Sequence, residues 1–183
     1  MAGHSPAGPL MKEHRIIERM ISVLTSEMES IESHQHTDPV LMTTAVDFIR
    51  TYADRCHHGK EEDILFRRLA EKGLDPQLAK EMQELIDDHV YARDVTGQLI
   101  DANSRYAAGS LTALDEVESS LRTLIEFYPA HIAKEEKHFF KPCMAYFSDS
   151  EQAQMLADFD EFDRTLIHDK YRLIVEGLEQ AAK

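Results

Sequence analysis

The sequence has few cysteines, few glycines and no excess of basic residues. Its two cysteines, Cys56 and Cys143, lie far apart, so neither a disulfide framework nor a thiolate zinc site is indicated. A reducing cytoplasm is the expected location. The 34 acidic residues outnumber the 20 basic ones, which gives a formal net charge of -14. Without a Lys/Arg cluster, this charge argues against binding to nucleic acid or to anionic membranes.

Long hydrophobic runs and export signals are also missing. Residues 1–9 lack the basic start and apolar stretch of a secretory signal. Elsewhere charges interrupt the apolar segments well before the roughly 18 residues that a membrane span needs. No low-complexity linker divides the chain, so we expect one soluble domain over residues 1–183.

Apolar residues recur at intervals of three and four, which is the period of amphipathic helices. We predict five helices at roughly residues 10–33, 39–72, 76–108, 111–143 and 149–181. Their short connections favour antiparallel neighbours. The predicted fold is all-α: an up-down-up-down four-helix bundle, with its core at about residues 10–144, and an additional C-terminal fifth helix at about residues 149–181.

Local signals mark the helix ends. Asp38 and Asp75 each precede a Pro and are predicted N-caps, and Ser148 with an acidic residue three positions later predicts a capping box. Gly73 and Gly109 stand where a helix C-terminus favours a left-handed residue.

One short pattern occurs twice: residues 57–66 read HHGKEEDILF and residues 131–140 read HIAKEEKHFF. In each, a His is followed four residues later by a Glu, which places an imidazole and a carboxylate about 6 Å apart on one helix face. Each copy is a half-site for a metal. Two such half-sites facing each other across a bundle core would hold a dinuclear centre of nitrogen and oxygen ligands.

Histidine also occupies core positions on the other helices. His14 and His89 fill gaps in the apolar stripes of the first and third helices, and the stripe of the fourth leads into His131 and Glu135. Burying several imidazoles and two carboxylates at one level costs several kcal/mol per carboxylate unless a cation neutralises them. The group therefore predicts a metal site.

The second helix offers two pairs with the same spacing. Its apolar stripe points closer to His57 and Glu61, whereas moving one residue along turns the side chain by about 100° toward solvent. We choose His57 and Glu61, which makes His58 and Glu62 outer or surface groups. The reverse assignment stays open.

Imidazole and carboxylate ligands without thiolates suit iron, manganese or zinc. Calcium would require more oxygen ligands. Two iron ions fit best, because such a pair can cycle between ferrous and ferric states with open coordination for O2.

These residues resemble the hemerythrin-like, or HHE cation-binding, proteins. Those proteins have a His on the first helix, His-x-x-x-Glu-Glu on the second, a His on the third and His-x-x-x-Glu-Glu on the fourth. The corresponding residues here are His14, His57 with Glu61, His89, and His131 with Glu135. The match runs from about Leu10 to Cys143, and its Glu-Glu pairs select His57 and Glu61. The resemblance implies a non-haem di-iron centre, bridged by the two glutamates and by an oxo or hydroxo group and capped by histidines.

The sequence departs from the oxygen-carrying members at two positions. They have a second His one turn further along the third helix, where this chain has Arg93, and an Asp on the fourth helix, where it has Glu135. We therefore expect one iron to lack a histidine, leaving the site more open to peroxide, NO or water.

Two further residues are candidates for the ligand shell. Glu18 lies four residues after His14. Because its neighbour Ile17 belongs to the inward apolar stripe of the helix, a surface position is favoured for Glu18. His168 lies beside the apolar stripe of the fifth helix and is included as a candidate ligand. The candidate metal ligands are His14, His57, Glu61, His89, His131, Glu135 and His168.

The predicted function is a non-haem di-iron protein that binds O2, for storage, carriage or sensing. The alternatives are a di-iron enzyme acting on peroxide or NO, favoured by the absent histidine, and an iron storage or donor protein for stress repair. The expected partner is O2 or another small diatomic or peroxide ligand, with no nucleic acid and no membrane.

Overall fold

The described part of the chain folds into five helices. The computed structural model describes the backbone of residues 5–181 and the side chains of residues 5–166, and this part contains no strand. The helices are α1 (Ala7–His34), α2 (residues 39–70), α3 (Pro76–Ala107), α4 (residues 113–144) and α5 (Asp149–Ala181). The predicted all-α class is confirmed. None of the helices in the described part combines the length and apolar character needed to cross a membrane.

The predicted N-caps form. Asp38 Oδ1 accepts a hydrogen bond from the backbone N–H of Val40 at 2.9 Å, and Asp75 Oδ1 accepts one from Gln77 at 2.9 Å. At the start of α5, the backbone N–H of Ser148 donates to the Glu151 carboxylate at 2.8 Å, as in a capping box. These side chains satisfy backbone donors that the first helical turn leaves without partners.

The C-terminal ends follow the prediction in part. Gly109, after α3, has φ +98, a conformation that side chains other than glycine rarely adopt. Gly73 does not have a positive φ, so that prediction is wrong. After α1, which ends at His34, Gln35 takes the left-handed conformation at φ 54, and its N–H donates to the Ile31 carbonyl.

The first four helices form a ring. α1 and α3 each pack against both α2 and α4. At one end, Leu10, Leu69, Leu78 and Cys143 belong to a single apolar cluster. This cluster joins the start of α1, the end of α2, the start of α3 and the end of α4, so successive helices run antiparallel. The bundle is up-down-up-down, as predicted.

A polar layer separates two apolar clusters. Along α1, Leu10 belongs to the cluster just described and Ile17 to a second cluster that fills the other half of the bundle. His14 lies between them and is fully buried. The same change occurs on α3, where the buried His89 lies between Leu85 of the first cluster and Val95 of the second. The candidate ligands therefore occupy a buried level in the middle of the bundle.

The fifth helix lies across α2. Phe162 packs over Gly59, where an added Cβ would lie 2.7 Å from the ring. The Lys60 ammonium forms an ion pair with Asp163 at 2.8 Å. The contact falls directly beside the repeated pattern of α2, so α5 supports the segment that carries the candidate ligands.

Candidate metal centre

The backbone around the candidate ligands departs from the α-helix. Ile49–His58 and Glu61–Phe66 in α2, and Glu135–Phe139 in α4, have π-helical hydrogen bonding. The apolar period predicted continuous helices here but not this widened turn. π-helical segments in proteins occur frequently at functional sites, because the i→i+5 bonding changes the direction of neighbouring side chains.

The first group of converging side chains has four members: His14, His57, Glu61 and Glu135. Their potential ligand atoms all lie within 4.8 Å of one another, and all four residues are buried. The Nε2 atoms of His14 and His57 are 2.8 Å apart. Two imidazole nitrogens, a Glu61 carboxylate and a Glu135 carboxylate thus surround one point.

The second group consists of three histidines: His58, His89 and His131. Their potential ligand atoms also lie within 4.8 Å of one another. The ring of His58 stacks on that of His89, with centroids 3.8 Å apart, and His131 meets His89 edge-on at 5.0 Å. Each of these residues comes from a different helix of the bundle.

The two glutamates face both groups. Glu61 directs Oε1 to His57 Nε2 at 3.6 Å and Oε2 to His89 Nε2 at 3.5 Å. Glu135 directs Oε2 to His14 Nε2 at 3.1 Å and Oε1 to His131 Nε2 at 3.3 Å. Each carboxylate therefore offers one oxygen to each side, which is the arrangement that a bridging carboxylate requires.

Several polar atoms in the centre have no hydrogen-bond partner in the described part of the chain. They are both oxygens of Glu61 and Glu135, both ring nitrogens of His58, and Nε2 of His89 and His131. Buried polar groups are almost always paired, and leaving an ionised carboxylate unpaired costs several kcal/mol. A bound cation would satisfy these atoms, apart from Nδ1 of His58, which faces Asp54, so the residues present fit a metal.

The charges of the centre also fit a cation. Burial, together with the neighbouring Glu135 charge, raises the pKa of Glu61 well above its usual range. Burial alone would raise the pKa of Glu135 too, but His131 opposes it and holds that pKa well below its usual range. Burial, together with His89, lowers the pKa of His58 to about 3. His58 is therefore neutral at pH 7 and keeps a lone pair for a metal.

A carboxylate stands behind every histidine of the centre. The Nδ1 atoms face carboxylate oxygens in five pairs: His14 with Glu136 at 2.8 Å, His57 with Glu13 at 2.9 Å, His58 with Asp54 at 3.6 Å, His89 with Glu62 at 2.7 Å and His131 with Asp88 at 3.3 Å. Where a neutral imidazole donates its Nδ1–H to the carboxylate, its Nε2 keeps a lone pair facing inward. Metal-binding histidines are commonly oriented in this way.

These outer carboxylates were not identified from the sequence, except Glu62, which was expected as an outer or surface group. A signal for them exists. Glu13, Glu62, Asp88 and Glu136 are each the direct sequence neighbour of a central residue. A neighbour on a helix is turned by about 100°, so it faces the adjacent helix and supports that helix's histidine.

The assignment of His57 against His58 needs correction. The expectation that only one of them faces inward is wrong, because both are 1% exposed. They diverge to serve different groups, His57 with α1 and His58 with α3 and α4. The α-helical geometry used for the prediction does not hold over Ile49–His58, where the turn is wider.

We expected one iron to lack a histidine, because Arg93 stands at a ligand position of α3. This expectation is wrong for the arrangement of side chains in the centre. His58 of α2 completes the three-histidine group. The Arg93 guanidinium donates instead to Asp54 at 2.7 Å and to Glu62 at 2.6 Å. It thereby holds the two carboxylates that stand behind His58 and His89.

Lys60 has a corresponding role on the other side. It is 1% exposed, and its ammonium donates to Glu13 and, at 2.9 Å, to Asp163 of α5. Asp163 also accepts from the Cys56 thiol at 3.2 Å. Burial raises the pKa of Cys56 to about 12, so the thiol stays protonated. Asp163, Lys60 and Glu13 form a chain from α5 to His57.

The two further candidates have different outcomes. Glu18 pairs with Arg15 at 2.9 Å, and its side chain is 40% exposed, in agreement with the expected surface position. The side chain of His168 lies outside the described residues, so its candidacy as a ligand stays a prediction.

Comparison with known proteins identifies one family. The family model for the hemerythrin HHE cation binding domain matches residues 6–143, well over half of the chain. The match covers α1 to α4, with all the residues of both histidine groups, and leaves α5 outside. No curated protein and no solved structure matches the chain.

Proposed function

Because this chain belongs to the hemerythrin HHE cation-binding domain family, we propose that it is a non-haem di-iron protein that binds O2 inside the bundle. One observation carries the proposal: Glu61 and Glu135 each direct one carboxylate oxygen to the first histidine group and the other oxygen to the second. Two cations placed side by side need such shared carboxylates. Storage, carriage and sensing of O2 all rest on this same binding.

The proposed ligand sets follow the two groups. His14 and His57 would hold one ion, and His58, His89 and His131 the other, with Glu61 and Glu135 shared between them. Iron would supply a ferrous–ferric couple and affinity for O2. The protein supplies the orientation of each imidazole through the carboxylate behind it, and it buries every proposed ligand.

The alternative of an enzyme acting on peroxide or NO rested on a missing histidine. Since His58 completes the three-histidine group, no missing histidine favours catalysis. Iron storage or donation requires release of the metal, and the closed burial of the ligands gives no support to rapid release.

Metal analysis tests the proposal. After anaerobic loading with Fe2+ and removal of excess, we expect about two iron ions per chain. His131→Ala and Glu61→Ala should lose most of this metal, whereas His138→Ala, which removes an exposed histidine on the same helix, should retain it. Stoichiometric zinc instead of iron, or no metal after loading, would contradict the di-iron proposal.

Exposure to O2 separates binding from catalysis. The anaerobic ferrous protein is mixed with O2, and the gas is then removed while the absorbance is followed. Recovery of the ferrous spectrum supports reversible binding. Irreversible oxidation with turnover of added peroxide favours the enzyme alternative.

A further inference from the structure

A cavity reaches the three-histidine group from the surface between α2 and α3. Its volume is about 400 Å³. His58 and Ile49 of α2, Ala92 and Thr96 of α3, and Tyr128 of α4 form its buried inner end. Pockets for small organic molecules start at about 300 Å³, whereas a diatomic gas needs far less space.

The inner end carries an unused hydrogen-bond donor. Tyr128 is 1% exposed, and its hydroxyl has no partner among the described residues. The charged groups that act on this phenol are Asp54 and Arg93, both in the cavity wall. The other lining residues belong to α2 and α3, so Tyr128 of α4 reaches this cavity with the far end of its side chain, which carries the hydroxyl. Buried tyrosine hydroxyls normally have a partner.

The charges of the wall are balanced. Arg93 donates to Asp54 at 2.7 Å, and Arg50 and Asp101 add one charge of each sign at the exposed mouth. The chain as a whole has a net charge of -14. Neither the wall nor the whole molecule attracts an anion, so a neutral ligand suits the cavity.

We propose that this cavity binds a small neutral organic molecule whose carbonyl-type oxygen accepts a hydrogen bond from Tyr128 beside His58. The apolar body of the molecule lies against Ile49, Ala92 and Ile100. Binding does not itself require a metal. Its use as a substrate site next to the metal rests on the proposed function.

Two probes of nearly equal shape test the proposal. Acetophenone has an acceptor oxygen, and α-methylstyrene replaces that oxygen with a CH2 group. Saturation-transfer NMR titrations measure the dissociation constant of each probe with the metal-free and the iron-loaded full chain. We expect saturable binding of acetophenone, with α-methylstyrene weaker. Tyr128→Phe should weaken acetophenone binding about three- to tenfold, the effect of one neutral hydrogen bond, and leave α-methylstyrene within about twofold.

Two variants of Gly97 test whether the probes bind in this cavity. A Cβ at Gly97 meets nothing within 4 Å, and the residue lines the cavity. Gly97→Leu should fill the cavity and abolish binding of both probes, whereas Gly97→Ala should leave both unchanged. Circular dichroism confirms that each variant remains helical.

Several results would overturn the proposal: no saturable binding to the wild type, binding that Gly97→Leu leaves intact, or a Tyr128→Phe effect that is equal for both probes. The test separates this proposal from the proposed function. If the chain bound no iron, the probes would still bind to the metal-free protein. If the cavity bound no probe, the iron content would be unchanged.

Discussion

At the residue scale, the doubled histidine of α2 supplies both groups of the centre. His57 and His58 are consecutive, yet each joins a different set of ligands. Arg93 occupies the position where oxygen carriers were expected to have a histidine, and it binds Asp54 and Glu62 instead. The α3 position of Arg93 thus supplies no candidate ligand, and His58 of α2 supplies the third histidine of that group.

The variant His58→Ala tests whether His58 is a metal ligand. We expect the iron content to fall from about two to about one per chain, because only His89 and His131 remain as histidine ligands on that side. Iron is measured by elemental analysis after anaerobic loading. His138→Ala serves as the control, since it removes an exposed histidine. An unchanged iron content in His58→Ala would show that this ring only packs against its neighbours.

At the element scale, α5 lies outside the family match but supports the segment of α2 that carries the centre. Its side chains reach Gly59 through Phe162 and Lys60 through Asp163. Through Lys60 and Glu13 this contact continues to the Nδ1 atom of His57. The helix therefore takes part in orienting a candidate ligand.

Gly59→Leu should destabilise the protein by about 1–3 kcal/mol, as expected for overpacking. The physical reason is the Phe162 ring, 2.7 Å from an added Cβ. Urea unfolding measures the free energy of unfolding. Gly73→Leu is the matched control, because a Cβ there meets nothing within 4 Å. Adding Phe162→Ala should recover part of the loss, and no recovery would contradict the direct contact.

The start of α5 should show a specific pH dependence. The hydrogen bond from Lys72, with further bonds from Ser148, lowers the pKa of Glu151 to about 2. A lowered carboxyl pKa contributes stability that is fully present above the unfolded value near 4.5 and is lost as the pH falls toward 2. Glu151→Gln should therefore be less stable than the wild type at pH 7.

The difference in stability should shrink as the pH falls through this window. Urea midpoints of the wild type and Glu151→Gln at several pH values measure it. Glu126→Gln, at an exposed position inside α4, is the control and should show little difference at any pH. A Glu151→Gln effect of constant size between pH 7 and 3 would argue against the ionised cap.

At the scale of the whole molecule, a charged layer interrupts an otherwise apolar bundle. Two buried carboxylates, Glu61 and Glu135, lie between the apolar clusters and have unpartnered oxygens in the described part of the chain. Such a layer opposes folding unless a cation binds it. The stability of the fold should therefore depend on the metal.

Metal binding to the folded state alone should stabilise the protein by about 2.7 kcal/mol when free metal is at 100 times its dissociation constant. Thermal unfolding of the loaded protein, with and without a chelator, measures this effect. Unfolding that is insensitive to the chelator would contradict it.

The effect of Glu61→Gln on stability should have opposite signs in the metal-free and the metal-loaded protein. In the metal-free protein it should raise stability, because Gln has the shape of the protonated carboxyl and needs no proton from neutral solution. In the loaded protein it should lower stability, because it removes a metal-binding oxygen. Glu126→Gln should alter neither form, and a loss of stability in both forms would contradict the sign change.

The sequence by itself determined the helices and the family, because both depend on local order along the chain. Spacing of apolar residues predicted the five helices, and the His-x-x-x-Glu repeats with His14 and His89 predicted which side chains would be buried together. Asp38 and Asp75 predicted two helix starts, since a cap involves only its nearest residues.

Only the tertiary structure decided how these side chains divide. The π-helical turns that bring in both His57 and His58 have no signature in the apolar period, because that period assumes α-helical geometry. The carboxylates behind each histidine come from other helices, except Asp54, which lies on the same helix as His58. These pairings depend on which helix faces which, and so do the hydrogen bonds of Arg93 and the contacts of α5. The arrangement of the helices in turn depends on packing between residues distant in sequence.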